Sequence, residues 1–196
     1  SGRGIMTTET RYEFGTNWKS FVHTALNDRR VAHAVASLRG FLGVEDLDGL
    51  RFLDIGCGSG LFSLSAHLLG ASCVESFDYD PQSVASALEL RSRFGIANER
   101  WHVRRGSVLD PDFMATVDPA DVVYSWGVLH HTGAMWEALG NVAPRVRPGG
   151  TLCIAIYNDQ GSTSERWRRI KAFYNRNALS RGLVLVKWWL LAIPHL

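Results

Sequence analysis

The chain has 196 residues, 46% of them hydrophobic and 20% charged, which suits a folded domain with a sizeable core and excludes disorder of the whole chain. A formal net charge of +2 is too small to argue for nucleic-acid binding on electrostatics alone. The three cysteines, at 57, 73 and 153, form no CxxC pair and no zinc spacing, so a reducing, cytoplasmic setting without a bound metal is expected.

The first residues, before Met6, carry no apolar core, so no secretory signal is expected. Tyr12, Phe14, Asn17, Trp18, Phe21 and His23 then form an aromatic stretch, either a lid that excludes water or a helix packed on a sheet edge. Asp28 is placed to cap a helix over residues 29–42, with Val31, Val35, Leu38 and Leu42 on one face. A turn at Asp48-Gly49 leads to the short apolar run Arg51–Ile55, which fits a strand buried on both faces. Leu61, Leu64 and Leu68 keep helical spacing up to Gly70, and residues 72–77 read as a second strand. Pro81 suits a first helical position, with Val84, Leu88 and Arg91 along one side. Strands follow over residues 101–105, 121–125 and 151–157. Between the last two lie a helix marked by Met135, Leu139 and Val142 and a turn at Pro148-Gly149-Gly150.

Strands that alternate with helices predict an α/β fold, a doubly wound, mostly parallel sheet covered on both faces. Ligands of such sheets bind at the carboxyl ends of the strands, near the point where strand order reverses. Three parts of one domain are expected: an N-terminal helical cover over residues 1–48, a binding core over 49–158 and a helical segment over 159–196.

The carboxyl end of the first strand carries Asp54, Gly56, Cys57, Gly58 and Gly60. Glycines there let the backbone turn sharply and approach a ligand, beside the unpaired N–H groups of a helix start. Such a loop suits either a dinucleotide pyrophosphate or the amino-acid end of S-adenosylmethionine. Leu61 stands where a dinucleotide fingerprint needs its third glycine. A buried Asp54 carboxylate would be costly without a polar or cationic partner, and the ammonium of the sulfonium cofactor would supply one. The second strand ends in Phe77-Asp78-Tyr79-Asp80. Asp78 lies about 20 residues past the loop, the distance at which an acid accepts hydrogen bonds from ribose hydroxyls. Tyr79 is placed to cover an adenine, and the backbone at Ser107-Val108 to read its edge.

FLDIGCGSG, FDYD, GSVLD, DVVYSWGVLHH and VRPGG follow in the order and spacing of class I, Rossmann-like S-adenosylmethionine-dependent methyltransferases. The resemblance runs from Phe52 to Tyr157 and is nearest to the ubiquinone-biosynthesis-type small-molecule methylases. It implies that Asp54 and the glycines face the methionyl part, Asp78 the ribose, and Ser107-Val108 the adenine. Ser125 and Trp126 would line the methyl-donor end. The family often has Asp where Ser107 stands. S-adenosylhomocysteine would be the product, and a small molecule methylated on oxygen or carbon the acceptor.

Methyl transfer is an in-line displacement that needs alignment, and a base only for a hydroxyl or a protonated amine. His131, with His130 beside it, is the preferred base candidate, against a purely structural role for the pair. Tyr157 and Asn158 are second candidates for orienting the acceptor. Beyond them, Trp167, Ile170 and Tyr174 make one helical face, and Arg166, Arg168, Arg169, Lys171 and Arg176 the other. Arg181, Lys187, Trp188 and Trp189 follow among apolar residues. The apolar run at 183–193 is shorter than the roughly 18–20 residues of a membrane span. The segment is a substrate lid, a helix touching a membrane surface, or a cover for the sheet or for a second copy. The family's final antiparallel strand pair is missing from the pattern, which leaves an edge that favours a homodimer. RNA methylation and a non-catalytic binding domain stay as alternatives.

Overall fold

The computed structural model describes residues 27–157 and 161–174. Helix α1 (Asp28–Leu42) is opened by Asn27, whose side chain accepts the Arg30 N–H at 3.0 Å. The cap is therefore not Asp28, which stands in the first turn, where its charge suits the positive end of the helix dipole. Val31, Ala34 and Leu38 are buried, and Val35 and Leu42 pack beside them, as the spacing predicts.

Five strands follow: β1 (Arg51–Ile55), β2 (Cys73–Asp78), β3 (Trp101–Arg105), β4 (Ala120–Trp126) and β5 (Val146–Ala155). They form one all-parallel sheet in the order β3-β2-β1-β4-β5. Helices α2 (Leu61–Leu68), α3 (Pro81–Arg93), α4 (Pro111–Ala115) and α5 (Met135–Val142) connect them. Strand order reverses at β1, because β2 lies on one side of it and β4 on the other. β1 is buried on both faces, and alternate residues feed two cores. Phe52 packs with Leu38, Leu64, Trp101 and Tyr124, while Leu53 and Ile55 pack with Phe77, Val123 and Leu129.

Two elements differ from the periodicity. The buried face of α3 is Ser83, Ser86, Ala87 and Leu90, whereas Leu88 is exposed and Val84 half-buried. Small side chains let α3 sit close to the glycine loop, and the Ser86 hydroxyl is satisfied by the Gln82 carbonyl at 2.8 Å. A count of large apolar residues is blind to such a face. The fifth strand begins at Val146, not at Thr151. Val146 pairs with Ala120, residues 147–150 leave the ladder, and pairing resumes at Thr151 with Val122. The Arg147 guanidinium, bonded to both Asp121 oxygens at 2.9 and 3.0 Å, pins this excursion.

On β2 the Glu75 carboxylate is nearly buried and meets the Arg104 and Arg51 guanidinium groups. The chain divides into two units, Ser1–Ile156 and Tyr157–Leu196. The second contains α6 (Ser162–Tyr174), with a Glu165–Arg169 ion pair at 2.7 Å one helical turn apart. Among the described residues no helix is long and apolar enough to cross a membrane. The aromatic stretch 12–23, Asn158 and the basic and aromatic residues from Arg176 to Trp189 lie outside the described residues.

Candidate functional site

The loop after β1 is tied to β2 by its own backbone. The N–H groups of Gly56 and Cys57 both donate to the Phe77 carbonyl, at 2.9 and 3.1 Å. Two glycines are required here on steric grounds. Gly56 has φ +74°, and a Cβ would stand 2.5 Å from a Val128 methyl. Gly60 has φ +79°, and a Cβ would stand 2.9 Å from the Ala87 Cβ and 3.0 Å from the Trp101 ring. An L-residue is strained at such φ even where there is room.

Asp78, at the end of β2, closes the loop from the side. Its Oδ2 accepts the Gly58 N–H and its Oδ1 the Asp80 N–H, both at 2.9 Å. Burial raises its pKa, and these two bonds oppose the rise. Each oxygen keeps acceptor capacity for a second donor. Asp80 itself caps α3, accepting the Gln82 N–H at 2.8 Å, with Pro81 at the first helical position.

Asp54 is the most perturbed acid of the site. It is 2% exposed, and the Ser63 hydroxyl donates to its Oδ2 at 2.6 Å. Burial pushes its pKa up to about 7; the Ser63 bond opposes this and the nearby Asp78 charge adds to it. Among the described residues no cation balances the carboxylate. Cys57 is buried beside the two acids, and burial with their charges holds its thiol well above the usual range. Ser63 escaped sequence reasoning. Its one signal is position: it is the third residue of α2, whose start has a glycine and no side-chain cap.

A family model for the methyltransferase domain matches residues 53–152, more than half of the chain and the whole of this constellation up to β5. The chain belongs to the methyltransferase-domain family. Its fold is that of the class I S-adenosylmethionine-dependent methyltransferases, and S-adenosylmethionine is the cofactor of this domain. The chain is similar to the ribosomal protein L11 methyltransferase of Pseudomonas aeruginosa, with 30% identity over 135 residues, 69% of this chain and 41% of that protein. A counterpart from Methylococcus capsulatus is 32% identical over 115 residues, 59% of this chain and 36% of the relative. The chain thus spans about two fifths of the length of these curated relatives. Among solved structures, one from Methanococcus maripaludis, assigned as an S-adenosyl-L-methionine-dependent methyltransferase, overlaps 99% of this chain and 88% of its own. Its TM-score is 0.60 at 16% identity, a likeness of fold.

The remaining residues of the methyltransferase domain fall around the same sheet edge. Tyr79 is 52% exposed, and the Arg105 guanidinium lies over its ring, 5.9 Å from the centroid. The Ser107 hydroxyl accepts the Leu109 N–H at 3.2 Å, forming a local turn. Val108 is buried, and its carbonyl accepts from Asn141 at 2.9 Å. Ser125 is buried with its hydroxyl donated to the Ile55 carbonyl at 3.0 Å, so it ties β4 to β1. Trp126 carries the exposed tip of β4. It is 48% exposed and lies edge-on to Phe41 at 4.8 Å and stacked at 6.1 Å from Tyr124.

His130 and His131 lie on a single turn of 3₁₀ helix, Leu129–His131, just after β4, with ring centroids 4.0 Å apart. His131 is exposed and His130 half-buried. Burial, and then the neighbouring His131, lower the pKa of His130, so the neutral, proton-accepting form is favoured there. Tyr157 is exposed and opens the second unit.

Proposed function

We propose that this chain transfers the methyl group of S-adenosylmethionine to a small-molecule acceptor, on oxygen or carbon, at the carboxyl edge of the sheet. The observation that carries the proposal is Asp54, a desolvated carboxylate with no cation beside it among the described residues, next to a glycine turn that admits close approach. An ammonium group is the ligand that such a carboxylate lacks, and the cofactor's amino-acid end carries one. Gly56, Cys57, Gly58 and Gly60 would face that end. Asp78 would accept from the ribose hydroxyls with the lone pairs left after Gly58 and Asp80. Tyr79, Ser107 and Val108 would border the adenine.

Bound there, the cofactor supplies an activated methyl group on a sulfonium. The chain's own task is then to align the acceptor and exclude water, which in favourable cases is worth about 7–11 kcal/mol. Trp126 at the tip of β4 is placed for the first task, with Ser125 holding that strand end against β1. His131 is the base for a hydroxyl acceptor. His130 beside it is a second candidate.

A second reading takes a protein as the acceptor. The relatives that methylate ribosomal protein L11 favour it, and a peptide amine would make the same demand for a base.

Calorimetry with S-adenosylhomocysteine tests the first step, with micromolar binding expected; no heat and no thermal shift would remove the reading. Transfer of labelled methyl from the cofactor to a small-molecule panel and to ribosomal protein separates the two acceptors. His131→Ala should lower turnover of a hydroxyl acceptor by about 10²-fold or more with cofactor affinity unchanged. Unchanged turnover would take the base role away from it.

A further inference from the structure

The third residue of α2 carries more than its place in a helix requires. The helix starts at Gly60, which has no side chain to satisfy the first N–H groups. Asp54, from the neighbouring strand end, meets this first turn. It accepts a hydrogen bond from the Ser63 hydroxyl at 2.6 Å. Ser63 is fully buried, so no water competes for the hydroxyl. Among the described residues, the other groups that face Asp54 push it towards the neutral form or carry no charge. Asp78 on β2 repels its charge, and the Cys57 thiol and the Tyr124 phenol are both held protonated by burial and nearby negative charge. Ser63 is therefore the group that favours the carboxylate and fixes one of its oxygens.

We infer that Ser63 is a positioning residue: its hydroxyl anchors Asp54 Oδ2, so that the carboxyl group gives up its proton more readily and is oriented to receive the ammonium of the cofactor. The inference rests on the site proposed above. A hydroxyl bonded to a carboxylate stabilises the charged form, and loss of that bond would raise the proton affinity by about one to two pH units. The cofactor must then displace a proton from Asp54 over a wider range of pH, and apparent affinity falls about ten-fold for each unit of the rise.

Two measurements on the full chain test this. The first follows the Asp54 carboxyl carbon by NMR in the ligand-free protein as pH is raised. Ser63→Ala should move its midpoint up by at least one pH unit, and Ser63→Thr, which keeps the hydroxyl, should restore it. The second is calorimetry with S-adenosylhomocysteine between pH 5.5 and 8.5. Ser63→Ala should weaken binding about ten-fold near neutrality and recover towards the alkaline end. An unmoved midpoint, or a loss of affinity equal at every pH, would overturn the inference. If the wild-type chain binds neither form of the cofactor, the cofactor reading fails on its own, while the carboxyl titration still reports on the Ser63–Asp54 bond. Should Ser63→Ala fail to fold, Ser63→Cys, with a weak donor of similar shape, is expected to give an intermediate midpoint. A wild-type midpoint in Ser63→Cys would also overturn the inference.

Discussion

Asp54→Asn exposes the energetics of the site most directly, because it removes a charge and keeps the shape. Burial lifts the Asp54 carboxyl from 3.8 to about 7 in the folded chain. The folded protein therefore holds a proton that the unfolded chain releases between those values. Stability from this group is complete below pH 4, falls as pH rises through the window, and levels off above 7. Each pH unit between the two values is worth about 1.4 kcal/mol, so the full loss is about 4 kcal/mol. Asn binds no proton in either state and contributes no such slope. The stability of wild type minus that of Asp54→Asn should thus fall by about 4 kcal/mol from pH 4 to pH 8. Urea unfolding followed by tryptophan fluorescence measures it, with the slope in urea held constant as the check on two-state behaviour. Saturating S-adenosylhomocysteine should move the fall to lower pH, since an ammonium beside the carboxylate favours its charged form. A difference that stays flat across the window would refute the claim that Asp54 is desolvated and unbalanced.

Asp78→Ala should weaken S-adenosylhomocysteine binding at least ten-fold. The lost acceptor for Gly58 and Asp80 should cost only about 1–2 kcal/mol of stability, a difference that calorimetry and melting separate. Gly60→Ala combines a left-handed φ with contacts to Ala87 and Trp101. It should destabilise by about 2–4 kcal/mol and lower Tm by roughly 5–15 °C; an unchanged Tm would mean that the loop relaxes freely. Glu75→Ala leaves the Arg104 and Arg51 guanidinium groups without their buried partner. Because both arginines are partly exposed, the cost should be about 2 kcal/mol rather than the full value for a buried pair, and chemical denaturation will measure it.

The order of elements and the glycine loop after β1 were legible in the sequence because local chemistry determines them. Arg51–Ile55 is apolar throughout, as a strand covered on both faces must be, and Pro81 fixes the first turn of α3. Gly56 and Gly60 mark a turn that side chains cannot follow. What escaped was decided by partners distant in sequence. The buried face of α3 carries two serines and an alanine beside Leu90 because the glycine loop and Trp101 lie close against it, and hydrophobic periodicity cannot register a neighbour. β5 begins early because Arg147 finds Asp121 on the adjoining strand. The Ser125 hydroxyl bonds the Ile55 carbonyl because the fold sets β4 beside β1.

The sequence by itself determined the fold class, the family and the glycine turn, since each is read from local patterns and their order along the chain. Only the tertiary structure decided the state of the acids, because desolvation is a property of surroundings. It brought Ser63 onto Asp54 across nine positions and placed Asp78 under the Gly58 N–H across twenty. The same carboxylates in an open loop would titrate near their ordinary values and would have little call for a cation.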